Sequence, residues 1–154
     1  MALGWSKICC PVDFSETSWV ALDQAARLAA AGAELVILHV YDRGAMHASQ
    51  QVFAGDPQLE ERIVQQMNGR LELSKARAEQ LAPGRVWTEC VGGDPAAEIV
   101  RFADRGDFDL VVMGTHGRSG VRHLLLGSVA ERVVRNATCS VLVVRPEQFR
   151  IAPD

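Results

Sequence analysis

Residues 109–145, DLVVMGTHGRSGVRHLLLGSVAERVVRNATCSVLVVR, decide the fold of this chain. They begin with an apolar run that stops at Gly114, and a polar loop broken by glycines follows. A second break at Gly127-Ser128 precedes a helix-like run, and the apolar residues 141–144 close the stretch. Strand, loop, helix and strand in this order predict one βαβ unit.

Glycines mark both ends of the loop in this unit. Two residues separate Gly114 from Gly117, and nine residues lie between Gly117 and Gly127. Gly114 falls where a parallel strand would end, which is the edge at which such sheets bind ligands. Glycine there allows positive φ or a close approach of a ligand to the backbone. Gly127-Ser128 falls where a helix would begin, and a helix N-terminus offers free N–H groups to a phosphate.

The same residues also have purely structural interpretations. Ser128 followed by Glu131 fits a capping box, which would explain the serine without any ligand. Gly114 could be no more than a strand-end turn. The spacing matches neither the Rossmann nor the P-loop motif, so those two mechanisms do not apply as written. The combined spacing of these residues, however, indicates a ligand site more specifically than any one of the residues does.

The rest of the chain alternates between strand and helix signals. Apolar runs at residues 5–12, 34–41 and 85–91 predict three more strands, and helical periodicity predicts helices between them. Ser15 and Asp94 are good N-caps, and Pro95 suits a first helical position. The polar segment 42–58 is either a plain connector or a lid. The order predicts an α/β fold in a single domain, residues 1–154: a doubly wound, five-stranded, mainly parallel sheet with helices on both faces.

Composition excludes several function classes. The chain has 154 residues, 48% of them hydrophobic, and a net charge of −3. That charge disfavours a nucleic-acid partner, because such partners are held by attraction to phosphates. No apolar run approaches the roughly 20 residues of a membrane span, and the N-terminus does not resemble a signal peptide, so a cytoplasmic protein is expected. The four cysteines lack C-x-x-C spacing and are interpreted as small reduced core residues.

The glycine pattern resembles the ATP-binding signature of the universal stress protein family, the UspA-like domains. Gly114-x-x-Gly117, nine residues and then Gly127-Ser128 carry the resemblance. It continues through residues 124–133 and 141–144 and covers residues 8–18, whereas segment 42–58 fits least well. The resemblance implies the strand order 3-2-1-4-5, which would bring the ends of strands one and four to one crevice.

The resemblance also implies an adenine nucleotide site that holds ATP with Mg²⁺ or Mn²⁺. The adenine would lie near the backbone of Val40, with Pro11, Val12 and Met113 lining that end. Asp13 would lie near the ribose and phosphates and face the metal through water, although it could instead cap the first helix. The phosphates would be wrapped mostly by backbone N–H groups. The residues assigned to them are Gly114, His116, Gly117, Gly127, Ser128 and Val129, with Arg118 as a charge partner.

Three functions remain open at this stage. The first is an ATP-binding stress or signalling module, and the second is a slow Mg-dependent ATPase. Hydrolysis needs a group that positions water at the γ-phosphate, and neither paired carboxylates nor a P-loop lysine stand out in the motif, so binding is favoured and no catalytic residue is assigned. The third is a dimeric interaction protein without nucleotide. Family members commonly dimerise through the last strand, so a homodimer through residues 141–144 is expected.

Overall fold

Five short aliphatic runs form the strands of one parallel sheet. The computed structural model describes residues 4–45, 58–116 and 126–146. Segment 42–58, the possible lid, lies mostly outside the described residues. The strands are β1 (Lys7–Pro11), β2 (Glu34–Tyr41), β3 (Val86–Gly92), β4 (Leu110–Gly114) and β5 (Ser140–Val144).

The sheet has the order β3-β2-β1-β4-β5, and every recorded strand pair is parallel. This confirms the predicted fold class and strand order. The chain runs outward from β1 to β3, then crosses back to β4 and β5. Because the direction of winding reverses between β1 and β4, the topological switch point lies between those two strands.

Among the described residues, four helices with defined bounds lie between the strands, and local capping chemistry explains where two of them begin. They are α1 (Glu16–Ala29), α2 (Leu59–Glu79), α3 (Pro95–Arg105) and α4 (Ser128–Asn136). The Ser15 side chain accepts a hydrogen bond from Ser18 N–H at the start of α1, and Asp94 accepts one from Ala97 N–H at the start of α3. Both predicted N-caps are therefore confirmed, as is Pro95 at the first helical position.

Alternate side chains of the strands enter two separate cores, one on each face of the sheet. On one face Ile8, Ile37 and Val112 pack with residues of α1 and α2. On the other face Val111 packs with residues of α3 and α4, including Val133. Continuous aliphatic strands are expected for a parallel sheet that is covered on both sides.

The cysteines behave as core residues rather than as reactive thiols. Cys9 and Cys10 are fully buried, and all four cysteines are free. Burial raises the pKa of each thiol above its ordinary value, because the charged thiolate is disfavoured away from water.

A search of the described helices finds none with both the length and the apolar character that a membrane span requires.

Candidate functional site

The strands β1 and β4 separate at the carboxyl edge of the sheet. The β1–β2 ladder continues to Pro11 opposite Leu38, whereas the β1–β4 ladder is recorded only for Ile8 with Leu110 and Cys9 with Val111. Successive backbone N–H groups of a strand point to opposite neighbours. Val12 N–H donates to the Leu38 carbonyl on β2 at 2.8 Å, so the missing N–H of Pro11 lies on the β4 side. Proline therefore removes a ladder donor where the crevice opens.

The loop after β1 presents Asp13 at this crevice in a fixed conformation. Asp13 Oδ1 accepts hydrogen bonds from Ser15 N at 3.0 Å and Ser15 Oγ at 2.5 Å. Ser15, not Asp13, is the N-cap of α1, so the alternative interpretation of Asp13 as the cap is wrong. Phe14 between them has φ of 63°, in the left-handed region that non-glycine residues rarely adopt. Such strain persists only where the surroundings hold it.

Aromatic and hydrogen-bond contacts hold this strained loop from the α2 side. The Phe14 ring lies 4.6 Å from the His39 ring, and the Arg70 guanidinium lies 4.2 Å from the Phe14 ring centroid. His39 is buried, and its Nδ1 hydrogen-bonds the Val12 carbonyl at 2.8 Å. His39 is therefore a hydrogen-bonded core residue.

The exit from β4 and the entry to α4 are tied to each other. Gly127 N–H donates to the Thr115 carbonyl at 2.7 Å, and Thr115 N–H donates to the Val144 carbonyl at 3.2 Å. Thr115 is buried, and its Oγ1 lies 3.1 Å from His116 Nδ1. The two ends of the segment between residues 115 and 127 are thus fixed side by side at the crevice.

Gly114 is a glycine because α1 packs directly against it. A Cβ placed on Gly114 would lie 3.0 Å from the Thr17 carbonyl oxygen and 3.2 Å from the Thr17 Cβ. Gly114 is not among the glycines with positive φ. Residue 114 is therefore a glycine because helix α1 approaches it closely. It does not adopt the positive φ that glycine would also allow.

The start of α4 differs from the capping-box interpretation. Gly127 is the N-cap, with φ of −70° and ψ of 161°, and Ser128 is the first helical residue. Among the described residues no side chain caps this helix. The capping-box explanation of Ser128 is therefore wrong, and the amide groups of the first turn are left for other acceptors.

The structure places ten of the twelve predicted binding residues along this edge. Gly117 and Arg118 lie outside the described residues. Pro11, Val12 and Met113 are buried, while Ser128 is exposed. The remaining six residues are half-buried: Asp13, Val40, Gly114, His116, Gly127 and Val129.

A charged pair joins the N-cap of α3 to the middle of α4. The Arg132 guanidinium donates to both oxygens of Asp94, at 2.8 and 3.0 Å. These bonds, together with the bond from Ala97 N–H, hold the pKa of Asp94 below its ordinary value of 3.8. Within the described part of the chain no three His, Cys, Asp or Glu side chains cluster as a metal site.

The sequence argument missed Thr17. Its hydroxyl donates to the His116 carbonyl, so α1 contacts the segment after β4 directly. The two residues are 99 positions apart, and a threonine in a first helical turn carries no signal of such a contact. Only the packing of α1 on β4 reveals it.

Comparison with known proteins assigns the family. Residues 4–145 match the universal stress protein family. The chain belongs to that family. Universal stress protein MJ0531 of Methanocaldococcus jannaschii is 37% identical over 148 residues, which cover 92% of this chain and 82% of the relative.

Solved structures of family members share the fold. The structure of protein MJ0577, a universal stress protein of the same archaeon, superposes with a TM-score of 0.80 at 30% identity, covering 92% of this chain and 96% of that one. A universal stress protein in complex with cAMP superposes with a TM-score of 0.66 at 27% identity, covering 92% of this chain and 97% of that one.

Proposed function

We propose that this universal stress protein binds an adenine nucleotide, ATP, in the crevice between β1 and β4 and acts as a stress-response or signalling module. The crevice lies at the switch point, where parallel α/β sheets bind their ligands. A related structure holds cAMP, so the fold accommodates an adenine nucleotide in at least one relative.

The observation that carries the proposal is the uncapped start of α4. With glycine as the N-cap, no described side chain occupies the first-turn amide groups. These groups and the helix dipole favour an anion at that position. Ser128 is exposed there and adds a hydroxyl, so a phosphate group fits without displacing any protein contact described at this helix start.

The other end of the crevice suits a flat apolar base. Pro11, Val12 and Met113 are buried beside it, and Val40 is half-buried at the end of β2. Nucleotide pockets combine such apolar walls with a small number of polar groups that fix the orientation. Backbone N–H and C=O groups near Val40 would form hydrogen bonds with the edge of the adenine base.

A magnesium ion would accompany the triphosphate. Mg²⁺ in nucleotide sites is held by one or two carboxylates, the phosphates and several waters, not by a cage of protein ligands. The carboxylate of Asp13 in the loop after β1 fits that kind of site. We therefore propose that Asp13 faces the ion through water and that the ion offsets phosphate charge.

We favour binding over hydrolysis as the function of this site. Asp13 and His116, two side chains at the crevice that could position an attacking water, already make contacts within the protein. Those contacts fix the loops around the ligand. Amide groups at a helix start stabilise a bound phosphate whether or not it is cleaved.

Replacing Ser128 with proline tests the phosphate assignment. Proline suits the first helical position, and the extended conformation of Gly127 suits a residue before proline, so the fold should be retained. Ser128→Pro removes one N–H that faces the phosphate. Hydrogen bonds to charged groups are worth about 1.5–3 kcal/mol, so the affinity for ATP should fall about 10- to 150-fold by isothermal titration calorimetry.

The matched variant is Ser128→Ala, which removes the hydroxyl but keeps the amide. It should lose less affinity than Ser128→Pro, while both variants keep the circular dichroism of the parent protein. Equal affinity of parent and Ser128→Pro for ATP would show that the phosphates do not lie at α4. Titrations with ADP, AMP and cAMP establish which phosphate pattern the site prefers.

We also propose a homodimer that pairs through β5. This strand is an edge of the sheet, and its Leu142 is exposed, as is Val134 on the neighbouring α4. An open edge strand with apolar side chains is usually paired or covered.

A further inference from the structure

We infer that Thr17 is a positioning residue for phosphate binding: its hydroxyl holds the peptide after β4 so that the phosphate end of the crevice keeps its shape. This inference rests on the proposed function and extends it to a residue on a different element, α1. Thr17 itself need not touch the nucleotide.

The first observation is a contact between distant parts of the chain. The Thr17 hydroxyl donates to the His116 carbonyl, and the Thr17 backbone lies against Gly114. The first turn of α1 therefore packs on the two residues that flank Thr115, where the chain leaves β4. A shift of this turn would move the start of the segment that leads to α4.

The second observation is that the same helical turn also holds Asp13. Ser15 Oγ lies 2.5 Å from Asp13 Oδ1 and 3.0 Å from Thr17 Oγ1. Each hydroxyl has one proton to donate. The proton of Thr17 goes to the His116 carbonyl, and the proton of Ser15 goes to the charged carboxylate, which is the stronger acceptor. The two neighbouring hydroxyls thus hold the two sides of the crevice: Ser15 holds Asp13 after β1, and Thr17 holds His116 after β4.

The electrostatic consequence is specific for phosphate. A carbonyl oxygen carries partial negative charge, and one that faced a phosphate would repel it. Because the His116 carbonyl oxygen accepts the hydrogen bond from Thr17, this oxygen is directed toward α1. Without the donor, this oxygen loses its hydrogen bond to α1, and its peptide is held less firmly at the phosphate end. The adenine end is proposed at Pro11, Val12, Met113 and the backbone of Val40, and the Thr17 hydroxyl bonds to none of them.

Thr17→Val is the matched substitution, since valine keeps the branched shape and lacks the hydroxyl. A neutral hydrogen bond is worth enough to change an equilibrium about 2- to 10-fold, so ATP affinity should fall by that factor. The affinity for adenosine, which has no phosphate, should not change. Thr17→Ser keeps the hydroxyl and should restore ATP affinity.

The control variant is Thr88→Val, the same change on the edge strand β3, where the hydroxyl contacts Glu72. It should leave ATP and adenosine binding unchanged. If Thr17→Val weakens ATP and adenosine equally, or if Thr17→Ser does not restore ATP binding, the inference is wrong.

Hydrogen exchange separates this inference from the proposed function. The amides of Thr115 and Gly127 are hydrogen-bonded at the two ends of the segment. Thr17→Val should speed their exchange in the protein without nucleotide, and Thr17→Ser should not. A parent protein that does not bind ATP refutes the proposed function, and the exchange rates then decide the role of Thr17. Unchanged exchange in Thr17→Val overturns that role.

Discussion

At the scale of the residue, Gly114 shows how one position serves packing and a binding site together. Gly114→Ala places a methyl group 3.0 Å from the Thr17 carbonyl oxygen, which belongs to helix backbone and cannot turn away. Such overpacking typically costs about 1–3 kcal/mol. We therefore expect a lower free energy of unfolding in urea, by about that amount.

Gly69→Ala is the control for this prediction. Gly69 lies inside α2, and a Cβ there would meet nothing within 4 Å. Alanine in a helix interior is favoured over glycine by about 0.5–1 kcal/mol, so this variant should be stabilised. If Gly114→Ala were as stable as the parent, the close approach of α1 would not explain the glycine. Because of this packing, larger residues at Gly114 are unsuitable as tests of nucleotide binding.

The sequence predicted where Gly114 lies in the fold but not why a glycine is required there. Gly114 stood out because glycine ends a strand, but the cause is a helix that belongs to a different part of the chain. Thr17 gave no signal, because its partner is 99 residues away. Patterns within a short stretch reveal caps and turns, whereas contacts between distant elements depend on packing that no local spacing encodes.

At the scale of the element, the pair of Asp94 and Arg132 joins the start of α3 to the middle of α4. Asp94→Asn is the informative change, because asparagine still caps α3 but offers no charge to Arg132. The folded-state pKa of Asp94 lies below 3.8. A lowered carboxyl pKa stabilises the folded protein above the unfolded-state pKa, and this contribution is lost as the pH falls through the folded-state pKa.

The parent should therefore be more stable than Asp94→Asn at neutral pH, and the difference should vanish in acid. Urea unfolding of both proteins between about pH 7 and pH 3 measures it. Both side chains are about half exposed, so the difference should be small and should shrink with added salt. A difference that grew on acidification would contradict the assigned direction of the pKa shift.

Helix starts could be predicted from sequence where one residue type dominated the position. Ser15 and Asp94 are followed by amides that their side chains reach, so both caps were found. At the start of α4, the capping-box interpretation of the sequence placed the cap at Ser128. The structure places the cap at Gly127, which leaves the helix start without a side-chain acceptor.

At the scale of the whole molecule, the strand order follows from the family resemblance, while alternation of strand and helix gave only the fold class. The order puts β5 at an edge of the sheet, with β3 at the other. α2 packs against β3, and α4, which precedes β5 in the chain, leaves Val134 exposed. Both edge strands carry an exposed apolar side chain, Trp87 on β3 and Leu142 on β5, so the choice of β5 as the dimer contact comes from the family resemblance.

The oligomeric state tests whether β5 meets a second copy. Leu142 on β5 is 37% exposed, and Leu73 on α2 is 70% exposed. Leu142→Lys places a charge on the edge strand, where charges oppose pairing. Light scattering at micromolar concentration should find a dimer for the parent and a monomer for Leu142→Lys. Leu73→Lys makes the same change away from the edge and should remain dimeric. A monomeric parent protein would contradict the proposed dimer. A dimer lost only in Leu73→Lys would place the contact away from β5, because pairing through β5 requires the charge at residue 142 to have the larger effect.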